Sequence, residues 1–194
     1  GVNLRDAYGI SKSKNILLMV STFEERKGHE FALNALKIAL SQRDDLHLLC
    51  VGTATNNEIR RVQRLIDERG LKNDVTITGR IDNIANSMSA ADLIIIPSQD
   101  YESFALTAVE AMLNELPIVA TNIGGIPETI GQDGHCGFLV DPGEPDKFSE
   151  KILYIVDNPE FSKKMGANGL SRALDVFDPK KMAREYHKLT RTKS

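Results

Sequence analysis

Residues 93–121 read LIIIPSQDYESFALTAVEAMLNELPIVAT. The run Leu93, Ile94, Ile95, Ile96 has no polar alternation, which is the pattern of a strand covered on both faces. Residues 104–114 read as a helix, stopped by Pro117. A second apolar run of strand length follows at once over 118–121. Strand, helix and strand in this order form a βαβ unit, whose two strands lie parallel in one sheet.

The same alternation extends in both directions. Strands are expected over 15–21, 47–52 and 75–78 before this unit and over 137–140 after it. Residues 29–41 place Phe31, Leu33, Leu36 and Leu40 at helical spacing, and 58–69 do the same with Ile59, Val62, Leu65 and Ile66. Charged opposite faces make both of these surface helices. Residues 87–91 form a short helical turn, and 145–156 a helix with Pro145 in its first turn, where a missing N–H does no harm. Beyond Gly143 the sheet pattern ends, and 158–176 and 179–191 read as purely helical. The expected fold is α/β: a Rossmann-like, doubly wound, six-stranded parallel sheet with extra helices at the C-terminus. Ligands of such sheets sit at the carboxyl ends of the strands, so the loops that follow each strand are where chemistry is sought.

Composition narrows the function. The 194 residues, 41% of them hydrophobic, can bury one sizeable core. With 24 Lys and Arg against 27 Asp and Glu, the net charge of -3 supplies no basic field for a nucleic-acid backbone. Cys50 and Cys136 lie far apart, without CxxC or zinc spacing, and read as core thiols in a reducing cytoplasm. No apolar run approaches the roughly 20 residues of a bilayer span, and GVNLRDAYGI lacks the pattern of a signal peptide. This opening reads as a cut made in a linker, over 1–14.

Three loops carry the polar groups. After the first strand, Arg26 and Lys27 stand beside the start of a helix, whose free N–H groups favour an anion such as phosphate. Neither the GxGxxG nor the GxxxxGK[ST] pattern is present, which disfavours NAD binding and ordinary ATP hydrolysis. After the fourth strand, Glu102 precedes the helix and Glu110 lies inside it. A helix capped by Ser103 would aim the amides of Phe104, Ala105 and Leu106 at the space beside Glu102. Carboxylates there suit sugar or ribose diols, because each can accept two hydroxyl hydrogen bonds. After the fifth strand, Gly124 and Gly125 permit close approach to a ligand or a tight turn, and both readings stand. His135 has no neighbouring ligands at metal spacing, and no Ser or Cys pairs with a His as in a hydrolase triad.

The segment from Glu102 to Met112 resembles the ExxxxxxxE motif of the family 4 retaining glycosyltransferases, which have the glycosyltransferase B fold of two Rossmann-like domains. Further resemblances run in the same order along nearly the whole chain. They comprise Gly1-Val-Asn as the end of the interdomain linker, Arg26-Lys-Gly28, Val75-Thr-Ile-Thr-Gly79-Arg, Ala91 to Ser98, Gly124-Gly-Ile-Pro-Glu128 and Gly137 to Pro142. The resemblance implies the C-terminal, donor-binding domain of such an enzyme, with a separate N-terminal acceptor domain. It implies transfer of a hexosyl group with retention from a nucleoside-diphosphate sugar, a UDP-sugar or a GDP-sugar, with no metal and no cofactor.

Its implied site has Glu102 at the sugar hydroxyls near the reacting centre and Glu110 on the ribose. Lys27 and Arg26 face the diphosphate, together with the amides of Phe104, Ala105 and Leu106, and Arg80 and Ile81 lie at the base. Two departures stand out: Ser21-Thr22 replaces the Gly-Arg pair common in the family, and Ser103 and Ala105 stand where glycines are frequent. The tail helix 179–191, with Met182, Tyr186 and Leu189 on its apolar face, resembles the segment that crosses back to the N-terminal domain. Expected partners are the nucleotide sugar and that N-terminal domain, not nucleic acid. A cytoplasmic enzyme is expected, with peripheral contact of the parent enzyme at the inner membrane face left open. Two other readings use the same fold: a stand-alone nucleotide-sugar-binding regulatory module, and half of a nonhydrolysing sugar-nucleotide epimerase.

Overall fold

The computed structural model describes residues 4–178 together with Lys181 and His187. Strands β1 (Asn15–Val20), β2 (Leu46–Val51), β3 (Val75–Gly79), β4 (Leu93–Ile96), β5 (Ile118–Thr121) and β6 (Gly137–Val140) pair in parallel in the order β3-β2-β1-β4-β5-β6. All six expected strands are present. The helices are α1 (Leu4–Ala7), α2 (His29–Leu40), α3 (Asn56–Arg69), α4 (Ile84–Ala90), α5 (Leu106–Leu113), α6 (Ile126–Ile130), α7 (Pro145–Asp157) and α8 (Pro159–Val176).

The period of two along β1 divides the core. Leu17 and Met19 pack with Phe31 and Leu36 of α2, Val62 and Ile66 of α3, and Phe148 and Ile152 of α7. Ile16 and Leu18 pack on the other face with Ala108 and Met112 of α5, Ile126 and Ile130 of α6, and Ala173 of α8. Every residue of β2, β4 and β5 is buried, as their largely apolar runs require, and the two polar residues among them are hydrogen-bonded, His47 to the Thr76 hydroxyl and Thr121 to the Ser98 carbonyl. Cys50 and Cys136 are both buried, and burial pushes the Cys50 thiol up to about 12.

Boundaries differ from the sequence reading where a side chain sets them. Helix α3 begins at Asn56 because the Thr55 hydroxyl accepts the Glu58 N–H while the Glu58 carboxylate accepts the Thr55 N–H at 2.7 Å, a reciprocal cap. The opening segment, read as linker, is docked from Leu4 onward. Leu4 is buried, and Arg5 pairs at 2.9 Å with Asp92, whose carboxylate also accepts the Ile16 N–H at 2.7 Å. The tail segment 179–191, with its expected apolar positions at 182, 186 and 189, lies outside the described residues apart from Lys181 and His187. Among the described residues no helix is long and apolar enough to cross a membrane.

Candidate functional site

Strands β1 and β4 are neighbours, yet the helices that follow them leave to opposite faces, α2 to one core cluster and α5 to the other. A parallel sheet opens a crevice at such a reversal, beyond the carboxyl ends of the two strands. The loop after β1 turns back through a 3-10 turn, Glu25–Lys27, ended by Gly28 at φ 77°. Gly28 also begins α2, its carbonyl accepting the Ala32 N–H at 2.9 Å. A Cβ at Gly28 would lie 1.8 Å from the Pro97 carbonyl oxygen, so only glycine lets the two loops meet.

Three further contacts stitch these loops. The Gln99 N–H donates to the Arg26 carbonyl at 2.8 Å, and the Arg26 guanidinium donates to the Tyr101 carbonyl at 3.1 Å. From the other side, the Gly125 N–H donates to the Glu102 carbonyl at 2.7 Å. Added Cβ atoms at Gly124 and Gly125 would lie 2.1 Å from the Glu102 carbonyl oxygen and 2.2 Å from that of Ser103. The close approach these two glycines permit is therefore to the glutamate loop's own backbone.

The outcome is an ion pair across the crevice. Lys27 Nζ lies 2.5 Å from Glu102 Oε2, with the two side chains only 16% and 14% exposed. The hydroxyl of Ser98 donates to the same oxygen at 3.2 Å. These groups line a cavity of about 220 Å³ together with Ser21, Phe104, Ala105, Leu106 and Thr107. The Ser21 hydroxyl is buried there with no hydrogen-bond partner among the described residues.

Helix α5 starts later than expected. Its N-cap is Ala105, with no side-chain cap, and the Ser103 hydroxyl does not fill that role. The cause is tertiary: the Ser103 carbonyl, which a helix capped there would offer to Thr107, is pressed against Gly125. As a result the Leu106 N–H is taken by the Phe104 carbonyl at 2.8 Å. The amides of Phe104, Ala105 and Thr107 have no backbone acceptor among the described residues, so the donor set at the cavity differs from the expected trio by exchange of Leu106 for Thr107.

The remaining expected residues do not line this cavity. Arg26 is committed to Glu24 at 2.7 Å and to the Tyr101 carbonyl, and Thr22, in the place of the family's frequent arginine, donates to Glu24 at 2.9 Å. Glu110 lies farther along α5, where burial raises its carboxyl above the usual carboxylate range. Arg80 stands beyond β3 at the sheet edge, its side chain 74% exposed and 3.5 Å from Asp82, while Ile81 packs partly buried on the second core cluster.

Sequence reasoning missed Ser98 and Gln99. Ser98 is 2% exposed, and its carbonyl accepts the Thr121 hydroxyl at 2.5 Å. The Gln99 side chain donates to the Pro97 carbonyl at 2.9 Å and accepts the Gly143 N–H at 3.0 Å, tying a third loop to the site. Their signal was position alone, immediately past the carboxyl end of β4. A larger groove of about 460 Å³ lies on the far side of Gly28. Its Arg61 is engaged with the Phe23 carbonyl at 2.7 Å and with Glu25 at 3.8 Å, and neither Lys27 nor Glu102 faces it. Among the described residues no group of three or more His, Cys, Asp or Glu side chains could hold a metal ion.

With this geometry in view, the comparisons with known proteins fall into one class. Residues 3–172 match the family described as Glycosyl transferases group 1, and the chain belongs to that family. Over 183 residues it is 29% identical to the N-acetyl-alpha-D-glucosaminyl L-malate synthase of Bacillus anthracis, covering 94% of this chain and 47% of that protein. The crystal structure of Anabaena HepE in complex with UDP superposes with a TM-score of 0.89 at 26% identity, covering 97% of this chain and 51% of that one. The C-terminal domain of the glycosyl transferase group 1 family protein LpcC from Francisella tularensis shares the fold with a TM-score of 0.78 at 22% identity, over 90% of this chain and 91% of that one. The chain thus spans about half the length of the full-length relatives it matches.

Proposed function

We propose that this chain is the donor-binding, C-terminal half of a retaining glycosyltransferase, which transfers a hexosyl group from a nucleoside-diphosphate sugar with the help of an N-terminal acceptor domain. The observation that carries the reading is the convergence of Lys27 and Glu102 at the reversal point of the sheet, beside amides that have no backbone acceptor. A diphosphate needs fixed positive charge and N–H donors, and a sugar needs a carboxylate for its hydroxyls. Both lie within one crevice. The UDP complex of the Anabaena relative and the half-length coverage support the same assignment.

In this reading Glu102 is the residue nearest the reacting centre. Lys27, with the amides of Phe104, Ala105 and Thr107, stabilises the charge that grows on the departing diphosphate, the work a cation would otherwise do. Arg26 acts mainly by holding the Tyr101 carbonyl and so the loop that carries Glu102. Glu110 serves the ribose, and Arg80 and Ile81 border the base. The N-terminal domain supplies acceptor binding, orientation and exclusion of water, so this half alone is expected to bind donor with little or no transfer. We place the parent enzyme in the cytoplasm, with any membrane contact peripheral.

Calorimetric titration with UDP, GDP and their sugar conjugates tests the proposal. Saturable binding of one nucleotide, weakened about tenfold or more by Lys27→Ala and by Glu110→Ala, is the expected result. If no nucleotide binds to this chain or to a protein that includes the N-terminal half, the assignment fails.

A further inference from the structure

The Lys27–Glu102 pair joins the two groups to which donor recognition assigns separate tasks, one for the diphosphate and one for the sugar. At 2.5 Å, with both side chains largely covered, the carboxylate sits where an anion bound to Lys27 would sit. An ammonium has three donors, so geometry alone would allow Lys27 to hold Glu102 and a phosphate together. Charge does not favour it, because a phosphate oxygen within hydrogen-bond reach of Nζ would stand only about 4–5 Å from Oε2, where like charges repel.

The glutamate loop cannot relieve this by moving as a whole. The Tyr101 carbonyl is held by Arg26, the Glu102 carbonyl by the Gly125 N–H, and the Gln99 N–H by the Arg26 carbonyl. The Glu102 side chain is left free to move, and among the described residues it is tethered by Lys27 and the Ser98 hydroxyl.

Resting on the donor-site reading, we propose that Glu102 is an intramolecular occupant of the anion subsite. A diphosphate displaces its carboxylate from Lys27, and the released carboxylate turns to the sugar hydroxyls. Diphosphate and sugar recognition are thereby coupled through rotation of one side chain. The coupling has an unusual consequence: a residue that contacts the donor sugar weakens the binding of an anion that lacks the sugar.

The test is titration of the native chain, Glu102→Gln, Lys27→Met and the double variant with inorganic pyrophosphate, UDP and GDP. Glu102→Gln is expected to bind pyrophosphate about tenfold tighter than the native chain, from the release of one charge-assisted hydrogen bond. The double variant should bind no tighter than Lys27→Met. Ser98→Ala, which removes only the second tether, should tighten pyrophosphate binding about twofold to threefold, and it carries the test if Glu102→Gln proves unstable. Equal or weaker pyrophosphate binding by Glu102→Gln, with native binding intact, overturns the inference and leaves the donor site standing. Absence of binding of all three probes to native and variant chains alike, repeated in a protein that includes the N-terminal half, sinks both.

Discussion

The loops after β1 and β4 and the loop after β3 were both expected to touch the same ligand, yet they are built differently. At the first, Gly28, Gln99, Arg26 and Gly125 make main-chain contacts that leave Lys27 and Glu102 little choice of position. At the second, Arg80 projects from the sheet edge with its side chain 74% exposed and, among the described residues, Asp82 as its ion-pair partner at 3.5 Å. The first is preorganised in its main chain, so that only the Glu102 side chain has to give way when a ligand arrives, whereas the second must order a long side chain on binding. On the proposed donor-site reading, a rigid end at Lys27 and a loose end at Arg80 would select the diphosphate by geometry and leave the nucleobase to weaker contacts.

The most severe way to break this contrast is Gly28→Ala. A Cβ 1.8 Å from the Pro97 oxygen at φ 77° must push the two loops apart, at a cost of about 3 kcal/mol or more in stability. Urea denaturation measures it, and a loss below about 1 kcal/mol would mean the loops are not locked by that contact.

Next comes acid. His29, directly after Gly28, is 2% exposed and stacked on Phe23 at 4.3 Å, and neither ring nitrogen has a hydrogen-bond partner among the described residues. Burial, with Arg61 of α3 adding to it and Glu58 opposing, lowers its pKa from 6.5 to about 4. The unfolded chain therefore takes up this proton first. Stability is insensitive to His29 above pH 6.5 and falls as pH drops towards about 4, by up to about 3 kcal/mol. Denaturation at several pH values should show that slope in the native chain and a flatter one in His29→Gln.

A smaller effect sharpens the picture from behind the site. Thr121→Val removes the donor to the Ser98 carbonyl and should cost about 1–2 kcal/mol, with weaker pyrophosphate binding as the loop loosens. At the loose end, Arg80→Ala should change stability by less than about 0.5 kcal/mol, since an exposed pair contributes little. A loss of several kcal/mol there would show that the β3 loop is as fixed as the other.

The contrast also explains what could be read without the structure. Most of the six strands were legible because parallel strands buried on both faces leave near-continuous apolar runs, such as Ile94–Ile95–Ile96, and the half-buried edge strand β3 was legible from its β-branched residues. Lys27 and Glu102 were legible because they follow such strands. The late start of α5 was not, since Ser103 is a good cap in isolation and only Gly125, from another loop, displaces it. The short helix α6 was hidden by the same two glycines, which read as a turn. Gln99 carried no chemical signal, because an amide side chain is informative only through what surrounds it.

By itself the sequence determined the alternation of strands and helices, the two buried faces and the identities of the charged groups, all of which depend on periodicity and residue type within a few turns. The tertiary structure decided which of those groups meet. Lys27 and Glu102 are 75 residues apart, and their contact exists because the chain lays β4 beside β1 after first laying down β2 and β3 on the other side. That order is set by how crossovers pack on the sheet as a whole, and no local pattern records it.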